Sequence, residues 1–281
     1  MSAYGVARDD FRNVRRSHVV LGVIGTFAAL VALVFLSEID IYDDAYRTLW
    51  DVSALIAFAF PLFVAPLTYL SIAGDRSRGS ITFALGLPRT RLGYLLGKYV
   101  SRASVAVAAV VLSTLVGFVI AATTFTNGAD PVRFATFAGT SALYALAISA
   151  AFVSVSAVSA SRSRSMFAVI GGYFVLVPFW NGLVPFANLE TLLDAVTSTL
   201  GVTLSGSTEA LIAVLSPANA YFVATRAVYE GVLDEYETFA TITQQPDYLG
   251  YEPWFAVLVL LGWATVVPAI AYVRFRRAEL G

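Results

Sequence analysis

The chain is 281 residues long, 58% hydrophobic and only 13% charged, with a formal net charge of −1. Apolar residues gathered into long blocks at that share describe a membrane protein. The absence of cysteine excludes disulfides, iron–sulfur clusters and thiolate chemistry, and one histidine (His18) with two methionines (Met1, Met166) argues against a soft-metal site.

At the N-terminus, Ala7, Phe11, Val14 and His18 share one helical face, flanked by Arg8, Arg12, Arg15 and Arg16. That pattern predicts an amphipathic basic helix over residues 1–18, lying on a membrane surface. Arg15-Arg16 ahead of an apolar run also has the form of a secretion signal, but the run ends in SEIDIYDD with no small-residue cleavage site.

A bilayer core of about 30 Å needs about 20 apolar residues in a helix. Six blocks qualify, near Val19–Leu36, Val52–Ala73, Ala103–Thr124, Phe134–Ala160, Met166–Phe186 and Trp254–Val273. The expected fold is an all-α polytopic membrane protein of six transmembrane helices. With the N-terminus in the cytoplasm, 15 of the 18 basic residues fall inside and only Arg47, Arg133 and Arg226 outside. Cationic loops resist translocation, so both termini are expected to be cytoplasmic.

No apolar core of these six blocks contains Asp, Glu, Lys, Arg or His. Proton- and sodium-coupled carriers use such groups as relay or ligand, so this chain does not read as one. It also lacks HExxH, GxSxG and clustered carboxylates facing one span, and no enzymatic chemistry is expected within it. Ser141, Ser149, Ser154, Ser156 and Ser159 in the fourth block read as close packing through small residues, with a polar substrate path as the alternative. Pro61, Pro66, Pro178 and Pro268 are expected to kink their helices.

The segment 74–98, between the second and third blocks, reads as two short helices with a break. Gly79 allows a sharp entry, Ser80 is placed to cap a helix over Ile81–Leu87, and Pro88 ends it. Thr90 is placed to cap a second helix, where Leu92, Leu95, Leu96 and Tyr99 follow helical spacing into the third span. Apolar Ile81, Phe83, Leu85 and Leu87, rimmed by Asp75, Arg76, Arg78, Arg89 and Arg91, suit docking into a partner's groove. A basic anchor on anionic lipid is the plainer alternative. Gly93-x-x-x-Gly97-Lys98 is not a phosphate loop, having one residue too few between its glycines and Tyr99 in place of Ser or Thr.

Residues 187–251 are acidic, with Arg226 the one basic residue, and carry a helical apolar pattern through Leu189, Leu192, Leu193, Val196 and Leu200. A second apolar stretch stops at Ser216-Pro217, and Ala218–Val232 again looks helical.

Asp75-Arg76-x-x-Gly79-Ser80, Leu87-Pro88-x-Thr90-Arg91 and Gly97-Lys98 together resemble the E-R-x-x-G-[ST]…L-P-x-[ST]-R…G-K loop of ABC-2 type transporter permeases, with Asp75 where Glu is commoner. The resemblance extends to six spans and the long outer segment. It implies one transmembrane domain over 1–281 and an exporter's permease subunit, paired with a second copy or a similar subunit and with a separate ATPase that binds ATP and Mg. It implies no cofactor in this chain and no nucleic-acid partner; membrane lipids surround it. The coupling residues implied are Asp75, Arg76, Gly79, Ser80, Phe83, Leu87, Pro88, Arg89, Thr90 and Arg91. A connecting helix carrying Phe11, Arg12, Arg15 and Arg16 is implied to touch the ATPase, and short outer helices before the sixth span to cap the path. Ser216-Pro217-Ala218-Asn219-Ala220-Tyr221 is similar to text in permeases tied to copper-centre maturation, although the ligand-poor composition makes any copper link indirect. An ATP-independent carrier or channel, and a membrane scaffold for an assembly factor, are the alternatives.

Overall fold

A computed structural model describes residues 3–15, 18–82, 90–232 and 245–277. The described residues form helices joined by turns, with no strand among them. A first helix, α1 (Ala3–Arg15), precedes the first crossing, α2 (His18–Glu38). At 1.5 Å per residue α2 is about 31 Å long, the thickness of the hydrocarbon core.

The second crossing is built from pieces: α3 (Ala45–Phe58), α4 (Phe60–Thr68) and α5 (Ala73–Ser77). Asp44 caps α3, accepting from the N–H groups of Tyr46 (2.8 Å) and Arg47 (3.2 Å). The break at Ala59 follows from Pro61, which has no N–H to offer the Ala57 carbonyl. The Leu62 N–H turns instead to Ala59 (3.0 Å). Two tyrosines supply the missing donors: the Tyr144 hydroxyl donates to the Ala57 carbonyl (2.8 Å) and that of Tyr173 to Phe58 (3.0 Å). A broken helix survives at membrane depth only where neighbouring groups satisfy its backbone in this way.

The third crossing is α6 (Arg91–Thr124), about 51 Å long, so it projects well beyond the bilayer core. Gly117 sits where α2 and α6 meet; a Cβ there would lie 2.4 Å from the Phe35 ring. The fourth crossing is α7 (Pro131–Val158), with Pro131 at its first position and Asp130 accepting from Val132 N–H at 2.8 Å. It is followed by α8 (Arg162–Phe174), which widens at Pro178 into a π-helical turn, Val175–Phe179. The fifth apolar block, expected to run to Phe186, is therefore helical only to Phe179, because Pro178 cannot donate to the turn before it. With its π turn, α8 is about 27 Å long and crosses most of the core.

The outer segment comprises α9 (Leu189–Leu200), α10 (Gly206–Val214) and α11 (Pro217–Tyr229), then a 3₁₀ turn (Leu249–Tyr251) and α12 (Pro253–Phe275), the last crossing. α2, the α3–α5 run, α6, α7 and α12 are each long and apolar enough to cross a membrane, and the bent pair α10–α11 would make six if it counted as one span. That pair, bent by 102°, is a re-entrant hairpin instead. Its corner is deep: Ser216 Oγ donates to the Leu176 carbonyl (2.6 Å), and the Trp263 indole N–H, midway along α12, donates to Leu215 (2.9 Å). From there α11 climbs back to the end from which α10 came, where Arg133 donates to the Val228 and Glu230 carbonyls.

α11 packs against α3, α7 and α12, and Tyr221 at its centre is fully buried with Phe27, Phe35, Phe60, Phe137, Tyr144 and Phe152 in one continuous core. At the opposite end, α1, α5, the start of α6, the α7–α8 connection and the end of α12 come together.

Candidate coupling site

Lys98 is the single lysine among 18 basic residues, and the fold buries it. Its Nζ lies 2.7 Å from Asp10 Oδ1 and 2.9 Å from Asp75 Oδ2, with side-chain exposures of 12% for Lys98, 8% for Asp10 and 16% for Asp75. One compact ammonium with three donors can bridge two carboxylates that approach from different sides, where a planar guanidinium would commit to one. Asp75 also accepts from the Tyr94 hydroxyl (2.5 Å) and from Arg78 (2.7 Å), and Arg102 stands 3.2 Å from Asp10. This cluster joins α1, α5 and α6.

Asp10 gets there by helical geometry. On α1 it follows Val6 by one turn, and these two are the buried ones among the described side chains of that helix. The expected face was Ala7, Phe11, Val14 and His18; Phe11 is instead 39% exposed and His18 exposed. The inward face is set by packing of α1 along α6 and by the ion pair to Lys98, so α1 is a layer of the bundle and not only a surface helix. The side chains of Arg12 and Arg15, and Arg16 entirely, lie outside the described residues.

The rest of the 74–98 segment is wired to the later spans. Ser156 Oγ accepts from the N–H groups of Ile72 (3.1 Å) and Ala73 (3.0 Å), which open α5, and donates to the Tyr69 carbonyl (2.9 Å). Ser165 Oγ donates to the same carbonyl (2.6 Å). Arg76 donates to the Ser159 carbonyl at the end of α7 (2.9 Å), and Arg162 to Ser77 Oγ (2.6 Å). Arg91 donates to the carbonyls of Phe275 (3.0 Å) and Arg276 (2.8 Å), capping the last crossing with a cation where a helix end carries partial negative charge.

Several expectations change accordingly. Asp75, Arg76 and Arg91, expected on an exposed rim, are half-buried and face the bundle. Ile81, expected on a docking face, is fully buried with Val6, Ile72, Tyr94, Leu95 and Phe275. The Ser80 hydroxyl donates back to the Asp75 carbonyl (3.2 Å), and the helix over Ile81–Leu87 that it was expected to cap lies outside the described residues from position 83 on. Gly79 does make the sharp entry, at φ 71°, and Thr90 does cap α6, accepting from Gly93 N–H (3.0 Å). Phe83, Leu85, Leu87, Pro88 and Arg89 lie outside the described residues. Of the segment's described part, Ser77, Arg78, Gly79, Ser80, Thr82, Thr90 and Leu92 are exposed.

Sequence reasoning missed Asp10, Tyr94 and Arg102. The available signal was the lone lysine in an arginine-rich chain: a position that keeps Lys where every other cation is Arg asks for a point charge between two acids.

Deeper in the bundle the polar contacts are neutral. Tyr144 and Tyr221 stack at 4.8 Å, Tyr221 shares a hydrogen bond with Ser141 (2.8 Å), and Tyr229 contacts Ser53 and donates to the Leu49 carbonyl (3.1 Å). No group of three or more His, Asp or Glu among the described residues is placed to hold a metal ion.

The family model described as "ABC-2 family transporter protein" matches residues 4–280, which takes in every part of this site. Among curated proteins, none matches the chain.

Proposed function

The chain belongs to the ABC-2 transporter family, and from that premise we propose that it is the permease subunit of an ATP-driven exporter, coupled through its 74–98 segment to a separate ATPase. The observation that carries this is the Lys98 bridge between Asp10 and Asp75. A push on the exposed turn at Arg78–Ser80 reaches α6 and α1 through that bridge, α7 and α8 through Arg76, Ser156 and Ser165, and α12 through Arg91. One short segment thus holds four crossings and the N-terminal helix, as a lever driven from outside the chain must.

The partner ATPase binds ATP and Mg; this chain supplies no nucleotide loop and no cofactor. Two copies of the chain pair in the cell membrane with both termini in the cytoplasm, an orientation supported by the basic end that carries the coupling cluster. Closing of the ATPase dimer moves the loop as a rigid body, and the crossings that it holds switch access at the midplane.

The test is co-expression with candidate ATPases, purification through a tag on this chain, and ATP hydrolysis in liposomes. Arg78→Glu, on the exposed turn of the segment, combined with Arg89→Glu is expected to lose the bound ATPase while the chain remains folded. Retention of the complex and of stimulated hydrolysis in that variant refutes the coupling role.

A further inference from the structure

α7 packs against both α8 and α12, and between the latter two it leaves a groove of about 300 Å³ open to the side of the bundle. Gly172 and Leu176 lie along one wall and Trp263, Val267 and Ile270 along the other, and apart from Ser154 the lining is apolar until it reaches Arg274. Space is real at Gly172: a Cβ there would meet no atom within 4 Å.

Length and charge identify the occupant. From Trp263 to Arg274 the groove follows α12 for about 16 Å, one leaflet of a core about 30 Å thick. A transmembrane helix of a second copy would need a groove across both leaflets, whereas one acyl chain needs only this. Arg274 is exposed at the end of the bundle that also carries Arg162, Arg164, Arg276 and Arg277, and it pairs with no carboxylate among the described residues. A cation at the headgroup level, at the mouth of a one-leaflet apolar slot, matches an anionic lipid head followed by its chain.

We propose that this groove is a binding site for an anionic phospholipid, its phosphate on Arg274 and one acyl chain running between α8 and α12 to Trp263. The site is independent of which face of the membrane the Arg274 end occupies. It gives α8 and α12 a common boundary that no side chain supplies.

The probe is phosphatidylglycerol brominated in its acyl chain, added to the delipidated protein in detergent, with brominated phosphatidylcholine as the control. The quenching of Trp263 is taken as the difference between the protein and its Trp263→Phe variant. Phosphatidylglycerol is expected to bind about fivefold tighter than phosphatidylcholine, the effect of one basic residue against an anionic head. Arg274→Gln should bring that ratio to about one, and Gly172→Leu should abolish the quenching by filling the slot. Native mass spectrometry of the wild-type chain and Gly172→Leu gives a count of retained phosphatidylglycerol that does not depend on tryptophan. Equal quenching by both lipids, or unchanged quenching and retention in Gly172→Leu, overturns the site. So does efficient crosslinking between two Gly172→Cys copies in membranes, which would put a second chain on the groove.

Discussion

The loop after α5 and the re-entrant hairpin of α10 and α11 lie at opposite ends of one bundle and are fixed by different chemistry. At the loop, Asp10, Asp75, Lys98, Arg78 and Arg102 form ion pairs. In the deep part of the hairpin, the hydroxyls of Tyr221, Tyr229, Ser141 and Ser216 and the indole N–H of Trp263 make polar contacts, and the cations Arg133 and Arg226 bond carbonyls only toward its outer end. A charge carried to the depth of Ser216 would lose its hydration for little return, whereas at the end of the bundle water can take up a released carboxylate or ammonium. The charged end can therefore be remade when a partner pulls on it, while the hairpin keeps its fit.

On that contrast, the largest single effect is expected from Lys98→Met. It leaves Asp10 and Asp75 facing each other, largely buried, with the cation between them gone. Removing one partner of a buried pair typically costs about 3–5 kcal/mol, so a large fall in the detergent melting temperature is expected, with loss of ATPase-coupled transport. Lys98→Arg restores the charge but not the compact bridge, and should recover stability only in part. A Lys98→Met chain that melts and transports like the parent would remove the distinction between the two ends.

The inside of the bundle should respond less. Tyr144→Phe keeps the stack on Tyr221 but leaves the Ala57 carbonyl, already deprived of a donor by Pro61, with none. Hydrogen bonds between membrane helices are worth about 1–2 kcal/mol at most, so a loss of that order is expected, read as a lower melting temperature with ATPase binding intact. Ser156→Ala tests the boundary between the regions, since its hydroxyl is neutral yet closes the charged loop. Loss of an N-terminal helix cap costs about 1 kcal/mol, and here the expected signature is uncoupled ATP hydrolysis with only a small change in melting.

How much of this was legible in the sequence follows from the range of the interactions. The crossings were readable because each is a local run of apolar residues, and Thr90 and Gly79 because a cap and a left-handed turn are decided within four residues. The α1 face was misread because Asp10 looks solvated beside Asp9 and Arg8, and only Lys98, 88 positions later, makes it an interior residue. Ile81 was misread for the same reason, its partners being Val6, Tyr94, Leu95 and Phe275. The depth of the hairpin had no local signature: Pro217–Tyr229 has the pattern of any amphipathic helix until Tyr221 and Tyr229 find Ser141 on α7 and Ser53 and Leu49 on α3. Tyr144 and Tyr173 likewise answer a break made by Pro61, and only tertiary structure brings them to it.

The smallest expected effect is the sharpest test of where the charged end stops being structural. Arg78 pairs with Asp75 at 2.7 Å, but its side chain is 55% exposed while that of Asp75 is 16% exposed. Exposed pairs contribute about 0–1 kcal/mol, because water solvates the freed guanidinium and salt screens the attraction. Arg78→Ala alone should therefore leave melting almost unchanged, since Lys98 and Tyr94 still hold Asp75. The same substitution removes a cation from the exposed turn, so any weakening of ATPase binding, measured by co-purification across a salt series, belongs to docking and not to folding. A drop in melting as large as that of Lys98→Met would instead make Arg78 part of the buried bridge, and the outward-facing surface of the loop would have to begin at Gly79.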